Sequence, residues 1–394
     1  MIIRKDAVNA FLDYGDIEAP SAADGPLEDL TFAVKDIFDV AGYPTGGGSP
    51  VMAAESPIHK SSAPIVQKML DAGARFVGKT QTDELTFSMN GQNKHFPEPV
   101  NVRAEGRITG GSSSGSAAAV AAGLCDFSIG SDTGGSVRTP ASYCGLWGIR
   151  PTHGRVDNSR GMPLAPSFDT VGYFADEAEI FARVAAVFLG EDRRVFALTR
   201  LMRAEDAFAQ LLSDREAEAL APAEGKVVDI LGDATSATVA PEGLDRWYWT
   251  FRRLQAVEAW KIHGQWIESH DPDMTPGVRE RFEFGKTLGE DERREAEASR
   301  KRQRARMEEF VGADGVLMLP TVPAIAPKRD LAGEALQAYR ERALSILCIA
   351  GLAGLPQISM PLAEVDGCPL GLSLIGPRGS DRALVTLAVK IAQS

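Results

Sequence analysis

Apolar segments with two different spacings divide the chain into predicted strands and helices. Short apolar runs bounded by turn residues predict buried strands, and apolar residues three or four apart predict helices with one face on a core. The predicted strands are the apolar part of 27–40, then 74–78, 125–130, 226–231, 315–321 and 357–362. The predicted helices are 61–73, 117–122, 137–143, 176–189, 205–221, 247–270, 279–311 and 381–393.

These strands and helices alternate along most of the chain. Such alternation is typical of a mixed or parallel sheet covered by helices. A chain of 394 residues is long for one average domain, but it contains no repeat, low-complexity tract or Pro-rich linker. We therefore predict an α/β fold, in which a single α/β/α domain spans 1–394 and contains a mixed β-sheet covered by helices.

Composition and charge narrow the classes of function. Hydrophobic residues make up 44% of the chain, as in a globular protein. The formal net charge of −12 argues against a nucleic-acid partner, because binding to a polyanion needs a basic face. No apolar run reaches membrane-spanning length, residues 1–6 lack the apolar core of a signal peptide, and the four cysteines show no disulfide or metal spacing. We expect a cytoplasmic protein with no membrane partner.

Residues 110–138 form the chemically most informative stretch. Two turns rich in Gly and Ser, 110–116 and 131–136, flank a predicted Ala-rich helix and a buried strand. Glycines let the chain turn tightly, so that successive N–H groups can point at one spot and stabilise an oxyanion beside a serine hydroxyl. Taken singly, either stretch is more often an ordinary turn. A G-x-S-x-G pattern at 111–115 would make Ser113 a hydrolase nucleophile, but the residues before it form a poor strand for that motif.

Lys35 interrupts the apolar strand predicted within 27–40. A lysine at such a position either extends its amine to solvent at a sheet edge or is buried for a chemical purpose. In the first case Lys35 would pair with Asp36 or Asp39. Its position alone leaves both interpretations open.

The five histidines offer no evident partner for a serine nucleophile. They are His59, His95, His153, His263 and His270. None has an obvious place beside the Gly/Ser turns, and His263 and His270 lie seven residues apart rather than at the metal-binding spacing of four. We expect each to have a structural or surface role, so a Ser-His-Asp triad is not supported. No lysine lies three residues after a serine, as a Ser-x-x-Lys site would require.

The stretch GGSSSGSAAAVAAG at 110–123, followed by GSDTGGSVRTPA at 130–141, resembles the defining motif of the amidase signature family. The likeness continues without a gap to residue 152. In addition, TFAVKDIFDV at 31–40 resembles the strand that carries the catalytic lysine of this family. The core of the resemblance spans about 27–174. It implies the amidase signature fold and the hydrolysis of amides.

The resemblance also implies a Ser-Ser-Lys triad. Ser136 matches the nucleophile, and Lys35 matches the base. Ser112 matches the bridging serine, which follows a cis peptide at Gly111 in the family. The scheme is chemically consistent, because a serine hydroxyl needs a base, and burial can keep a lysine amine neutral enough to act as one.

The same match assigns the surroundings of the nucleophile. The oxyanion would bind to the backbone N–H groups of Thr133, Gly134, Gly135 and Ser136. Asp132 and Arg138 would brace this loop, and Gly111 would support the bridging serine. The resemblance calls for no metal and no organic cofactor.

Within the family, the chain looks most like the small plant-type indole-3-acetamide amidohydrolases. We therefore expect a small-molecule amide substrate, with an aryl-acetamide such as indole-3-acetamide as the candidate, and leave open whether the protein is a homodimer. The least matched part lies within the variable substrate-pocket region, about 190–310. Two alternatives remain, which are the amidase component of a tRNA-dependent amidotransferase that releases ammonia from glutamine, and a non-hydrolytic binding or receptor homologue.

The variable region contains an unusual share of the aromatic residues. They are Trp247, Tyr248, Trp249, Phe251, Trp260 and Trp266. Aromatic residues at helical spacing more often fill a core than line a pocket. We nevertheless expect this region to roof an apolar pocket that prefers aryl or apolar acyl groups to charged ones.

Overall fold

A computed structural model describes residues 6–15 and 17–394. Residues 1–5, on which the expectation about a signal peptide partly rests, and Asp16 lie outside the described residues. The strands are β1 Thr31–Lys35, β2 Arg75–Thr80, β3 Phe127–Asp132, β4 Trp147–Arg150, β5 Thr170–Ala175, β6 Arg200–Ala204, β7 Thr235–Ala237, β8 Gly315–Pro320, β9 Gln357–Val365 and β10 Cys368–Ile375. Most of their residues are buried, as expected for strands covered on both faces, whereas those of the edge strand β7 are not.

One ten-stranded sheet organises the described chain. Its strand order is β2-β1-β3-β5-β4-β9-β10-β8-β6-β7. Strands β2, β1 and β3 are parallel at one end, and β8, β6 and β7 are parallel at the other. The strands between these two groups pair in antiparallel fashion. The predicted α/β fold with a mixed sheet is thus confirmed.

Helices cover this sheet in two groups. They are α1 Pro50–Glu55, α2 Pro64–Asp71, α3 Ser114–Ala121, α4 Arg138–Tyr143, α5 Ala178–Leu189, α6 Glu205–Phe208, α7 Asp214–Leu231, α8 Leu244–His270, α9 Val278–Thr287, α10 Glu290–Val311, α11 Gly333–Ala353 and α12 Asp381–Gln393. Helices α2, α5, α12 and α7 contact one another in turn, and α8, α10 and α11 form a second packed group. No helix in the described ranges has both the length and the apolar character that a membrane crossing requires.

The Ala-rich helix α3 is buried along its whole length. Small side chains allow this close approach. A Cβ on Gly115 would lie 2.3 Å from the Ala10 carbonyl oxygen and 2.5 Å from the Gln81 nitrogen. The turn that precedes α3 is therefore held deep in the protein, next to the ends of β1 and β2.

Three sequence predictions differ from the structure. The predicted strand 226–231 is the last part of α7, whose apolar residues Leu220, Ala223 and Val227 lie on one buried helical face. The predicted helix 205–221 is interrupted between α6 and α7. The predicted helix 279–311 is interrupted between Thr287 and Glu290, where Gly289 takes an extended conformation. Propensity favoured a continuous element in the last two cases, but local turns break it.

Candidate active site

Parallel pairing brings the two predicted catalytic segments together. Strand β1 ends at Lys35 and β3 ends at Asp132, and the two strands pair in register with Val34 opposite Ile129. The carboxyl ends of parallel strands lie at one edge of a sheet, where ligands commonly bind in α/β proteins. Helix α3, which packs on β3, starts at Ser114 and so places Ser112 at the same edge.

Lys35 is fully buried and contacts two serines. Its Nζ donates hydrogen bonds to Ser112 Oγ at 2.7 Å and to Ser131 Oγ at 2.8 Å. Burial lowers the pKa of Lys35 to about 7, and the negative charges of Asp83, Asp132 and Asp169 only partly oppose this effect. A large fraction of Lys35 is thus neutral near pH 7, as a base requires.

The two aspartates that could have neutralised Lys35 have other partners. Asp36 pairs with Lys79 at 2.7 Å, and Asp39 pairs with Arg160 at 3.3 Å and with His59 at 3.0 Å. Among the described residues, Lys35 forms no ion pair. The interpretation of Lys35 as a surface cation at a strand edge is therefore wrong.

Gly111 occupies a position where a side chain does not fit. The peptide bond between Gly111 and Ser112 is cis. A Cβ on Gly111 would lie 2.4 Å from Asp83 Oδ2 and 2.7 Å from the Gly91 nitrogen. Asp83 is itself buried and accepts a hydrogen bond from the Gly91 N–H at 3.1 Å. Gly111 thus packs the Ser112 turn directly against a buried carboxylate.

Ser136 lies in the turn between β3 and α4, on the wall of a cavity. Ser136 is 7% exposed, and its Oγ makes no hydrogen bond within the part of the chain that the structure describes. Gly135 before it has a φ of +117°, which favours glycine. The structure therefore joins Lys35 to Ser112 by a hydrogen bond and presents Ser136 to the cavity, without a hydrogen bond between the two serines.

The loop before Ser136 presents backbone donors of two kinds. Within the described residues, the N–H groups of Thr133, Gly134 and Ser136 have no hydrogen-bond partner. The N–H of Gly135, by contrast, donates to Asp132 Oδ1 at 3.0 Å. Its donor is occupied, so Gly135 shapes the turn instead of serving the predicted oxyanion site.

Asp132 holds this loop through two buried arginines. Its Oδ2 accepts from Arg138 Nε at 2.9 Å, and its Oδ1 accepts from Arg150 at 2.9 Å. Burial alone would raise the pKa of Asp132, but the charges and hydrogen bonds of Arg138 and then Arg150 outweigh it and keep this pKa well below its usual range. The bracing role expected for Asp132 and Arg138 fits these contacts. Sequence reasoning missed Arg150, which lies outside the loop on β4.

Asp132→Asn is expected to lower the free energy of unfolding by about 3–5 kcal/mol, because it leaves two buried guanidinium groups without a counter-charge. Urea unfolding followed by circular dichroism measures this loss. The matched control is Asp176→Asn, which removes a half-exposed partner of Arg103 and should cost about 0–1 kcal/mol. Equal losses for the two variants would contradict a special role of Asp132.

Two neighbouring serines have roles that the sequence did not separate. Ser113, the alternative nucleophile, is fully buried, and its Oγ binds the backbone of Ser131 at 3.3 Å as both donor and acceptor. This arrangement leaves no free face for attack on a substrate. Ser131 was not singled out as a site residue, yet it accepts a hydrogen bond from Lys35. Its place in the motif, beside Asp132, was the available signal.

The histidines make contacts outside the Lys35–Ser112 pair. His263 and His153 bind the carbonyl oxygens of Pro163 and Pro166, and the other three lie within 3.2 Å of carboxylate oxygens of Asp39, Glu84 and Glu55. Across residues 6–15 and 17–394, no three His, Cys, Asp or Glu side chains converge as metal ligands would.

The cavity beside Ser136 differs from the apolar pocket expected from the sequence. Its lining residues are Thr86, Phe87, Ser88, Met89, Gly134, Ser136, Phe251, Arg252, Gln255, Ala256, Arg281, Phe284, Arg340 and Leu344. Of the six aromatic residues expected to roof it, only Phe251 does. Trp247 is fully buried in the core, and Trp249 is half exposed. Three arginines replace part of the predicted apolar wall.

Comparisons with known proteins agree on one family. The family model described as Amidase matches residues 3–219 and 254–385. The chain is 37% identical to Amidase 1 of Oryza sativa subsp. japonica, over 98% of this chain and 95% of that protein. It is 33% identical to the chloroplastic outer envelope protein 64 of Arabidopsis thaliana, over 93% of this chain and 67% of that protein. It is 30% identical to a subunit of the glutamyl-tRNA(Gln) amidotransferase of Halobacterium salinarum, over 98% of this chain and 100% of that protein.

A solved structure has the same fold. A crystal structure of an amidase superimposes with a TM-score of 0.84 at 28% sequence identity. The superposition covers 94% of this chain and 85% of that one. The likeness therefore extends far beyond the Gly/Ser motif.

Proposed function

This chain belongs to the amidase family and is a hydrolase of amide C–N bonds, and we propose that it cleaves a small carboxylic acid amide to the acid and ammonia through an acyl-enzyme on Ser136. One observation supports this proposal above the others. A fully buried lysine without an ion-pair partner among the described residues donates a hydrogen bond to Ser112 at the same sheet edge as Ser136. Burying a charge-capable group without a counter-charge is costly, so a chemical role explains it better than a structural one.

In the proposed acylation, Ser136 Oγ attacks the carbonyl carbon of the amide. Its proton passes to Ser112, and the proton of Ser112 passes to the neutral amine of Lys35. Ser131 also contacts Lys35 and fixes the direction of the amine. The hydroxyl of Ser112 then relays the proton between a nucleophile and a base that need not touch each other.

The loop before Ser136 is assigned the stabilisation of the negative charge that develops on the carbonyl oxygen. The unpaired N–H groups of Thr133, Gly134 and Ser136 are the proposed donors. Preorganised donors of this kind commonly contribute about 3–4 kcal/mol each to transition-state stabilisation. Asp132 keeps the loop in place through Gly135 and Arg138.

When the C–N bond breaks, the relay runs in reverse. Protonated Lys35 returns its proton through Ser112 to the leaving nitrogen, which departs as ammonia. A water molecule then attacks the ester of Ser136, again losing a proton to Lys35 through Ser112. The acid leaves, and both serines recover their protons.

The value of kcat/KM for a neutral amide is expected to rise with pH through about 7. Lys35 acts only when deprotonated, and burial lowers its pKa to about 7. A single group with that pKa is about one-tenth neutral at pH 6 and about nine-tenths neutral at pH 8, which predicts a roughly tenfold rise between them. Initial rates of ammonia release at fixed ionic strength measure it. A flat profile between pH 5.5 and 8.5, with the fold intact, would count against Lys35 as the base.

The acyl group of the substrate is less narrowly defined than the reaction. The aryl-acetamide expected from the sequence, such as indole-3-acetamide, is supported by three phenylalanines on the cavity wall, Phe87, Phe251 and Phe284. Aromatic surfaces of this kind bind flat apolar groups. Three arginines on the same wall do not suit a purely apolar substrate.

The two alternatives make different predictions for the isolated chain. An amidotransferase component should release ammonia from glutamine and depend on companion chains, whereas a receptor homologue should hydrolyse no amide. Ammonia release by the purified chain from a panel of simple amides and glutamine separates the three. Covalent labelling by a fluorophosphonate probe adds a test that needs no knowledge of the substrate. Hydrolysis of simple amides without a companion supports the proposal, and its absence contradicts it.

We also propose a cytoplasmic location. The four cysteines are unpaired, as in a reducing compartment. One relative is a chloroplast outer envelope protein, so fractionation of cells is the direct test.

A further inference from the structure

Three arginines line the cavity that contains Ser136. Arg252 comes from α8, Arg281 from α9 and Arg340 from α11. Three separate helices thus direct guanidinium groups to one place. The cavity is also the one onto which Gly134 and Ser136 open, so any group bound by these arginines is close to the proposed nucleophile.

None of the three has a carboxylate partner within the described residues. Arg340 is 8% exposed, its side chain forms no hydrogen bond with the described residues, and its Nε is buried without a partner. The Nε of Arg252 is also buried without a partner. Arg281 donates through its Nε to the Phe87 carbonyl oxygen at 2.7 Å, which leaves the rest of its guanidinium unused. An unpaired buried charge costs several kcal/mol, so this arrangement needs an explanation.

Two other buried arginines have a carboxylate partner. Arg138 and Arg150 share the carboxylate of Asp132, and each also donates to backbone carbonyl oxygens. The difference is one of charge, because Arg138 and Arg150 share a buried carboxylate, whereas the three cavity arginines have none among the described residues.

The acidic groups near the cavity are too few to balance three cations. Asp83 is the buried carboxylate whose charge acts on both Arg281 and Arg340. Burial raises the pKa of Asp83 itself, and its Oδ2 is already bound to the Gly91 N–H. Burial, followed by repulsion from neighbouring arginines, lowers the pKa of Arg281. The cavity therefore has a net positive potential that favours an anion.

The guanidinium of Arg252 is held in a fixed direction. It lies over the rings of Phe284 and Trp249, at 5.0 and 5.7 Å from their centroids. Cation–π contacts of this type orient an arginine without neutralising it. Its charge remains available to a ligand, as does the planar guanidinium fork that matches a carboxylate.

We propose that the acyl part of the substrate carries a carboxylate that binds to Arg252, Arg281 and Arg340, so that the enzyme acts on monoamides of short dicarboxylic acids in preference to neutral amides. This inference rests on the proposed function, because it places the amide carbonyl at Ser136. The phenylalanines of the wall pack on the carbon chain between the two ends. The arginines thus determine specificity and do not take part in bond breaking.

The test compares matched substrates and matched variants. Ammonia release is measured with malonamate, succinamate and glutaramate, each against the neutral amide of equal chain length. Binding of malonate, succinate and glutarate is measured by calorimetry at constant ionic strength, which requires no turnover. We expect kcat/KM to be at least tenfold higher for one acidic amide than for its neutral counterpart. We also expect the affinity for the matching dicarboxylate to fall with added NaCl.

Arg340→Gln and Arg252→Gln are expected to lower this substrate preference and the dicarboxylate affinity by about tenfold or more, the effect of removing one charge-assisted contact. Arg253→Gln is the matched control. Arg253 is adjacent on α8 but lies near Glu295 in a different cleft, so its replacement should leave both quantities unchanged. Thermal unfolding of each variant identifies a misfolded protein. Because two cavity variants are made, the test remains possible if one of them does not fold.

The outcomes separate this inference from the proposed function. If dicarboxylates bind through the arginines but no amide is hydrolysed, the anion site stands and the proposed function fails. If neutral amides, including indole-3-acetamide, are hydrolysed as fast as acidic ones and dicarboxylates do not bind, the proposed function stands and the anion site is wrong. A preference for acidic amides that persists in both Arg340→Gln and Arg252→Gln would also overturn the anion site.

Discussion

Replacing Ser136 by Ala is expected to abolish the covalent intermediate and to lower kcat/KM by on the order of 10⁴- to 10⁶-fold, the range seen when a hydrolase loses its nucleophile. Its Oγ faces the cavity without a hydrogen bond to the described residues, so no other contact should be lost. Intact-protein mass spectrometry after reaction with a fluorophosphonate probe reports the intermediate. Ammonia release reports the rate.

Ser113→Ala is the matched control for this experiment. Ser113 belongs to the alternative G-x-S-x-G pattern, but its hydroxyl is buried against the backbone of Ser131. The variant should still be labelled by the probe at one site. Labelling that persists in Ser136→Ala and disappears in Ser113→Ala would reverse the assignment of the nucleophile.

Replacing Lys35 by Ala is expected to reduce acylation by about 10²- to 10⁴-fold, the usual contribution of a general base. The loss should come with an intact fold, because Lys35 forms hydrogen bonds to Ser112 and Ser131 and no ion pair among the described residues. Single-turnover labelling kinetics measure the acylation step directly. Far-ultraviolet circular dichroism checks the fold.

The pH profile distinguishes a chemical from a structural role for Lys35. If Lys35 is the base, the residual activity of Lys35→Ala should no longer rise through pH 7, since the titrating group is gone. Ser112→Ala should be strongly impaired but retain more activity than Ser136→Ala if a water molecule replaces the bridging hydroxyl. Near-normal turnover by Lys35→Ala, with an unchanged pH profile, would leave the proposed triad without support.

Local patterns in the sequence predicted the strands, turns and helix nearest the proposed chemistry. The two Gly/Ser turns, the helix between them and the strand that ends at Asp132 follow from glycine geometry, small side chains and an apolar run. Lys35 was conspicuous because it is a charged residue within an apolar strand. In each case the informative residues lie within a few positions of one another, where propensity and spacing carry most information.

The cavity was predicted less well for a physical reason. Aromatic residues at helical spacing in α8 suggested an apolar roof, but Trp247, one turn before Phe251 on the same helical face, is buried in the core, and Phe251 alone of the six lines the cavity. Residues from α8, α9 and α11 meet there although long segments of chain separate them. A lone arginine on a charged helix looks like solvated surface until its neighbours are known.

The sequence by itself determined the family and the class of fold, because strands alternate with helices and the segments 31–40 and 110–152 resemble the amidase signature motif. The candidate chemistry came from that resemblance, since a Gly/Ser stretch alone is more often an ordinary turn. Only the tertiary structure decided which groups have partners. In the structure, Lys35 is hydrogen-bonded to Ser112, and Asp36 pairs with Lys79. The N–H of Gly135 donates to Asp132. The arginines of the cavity have no carboxylate partner among the described residues. Charge state and hydrogen bonding depend on burial and on distant neighbours, and these are properties of packing rather than of local order along the chain.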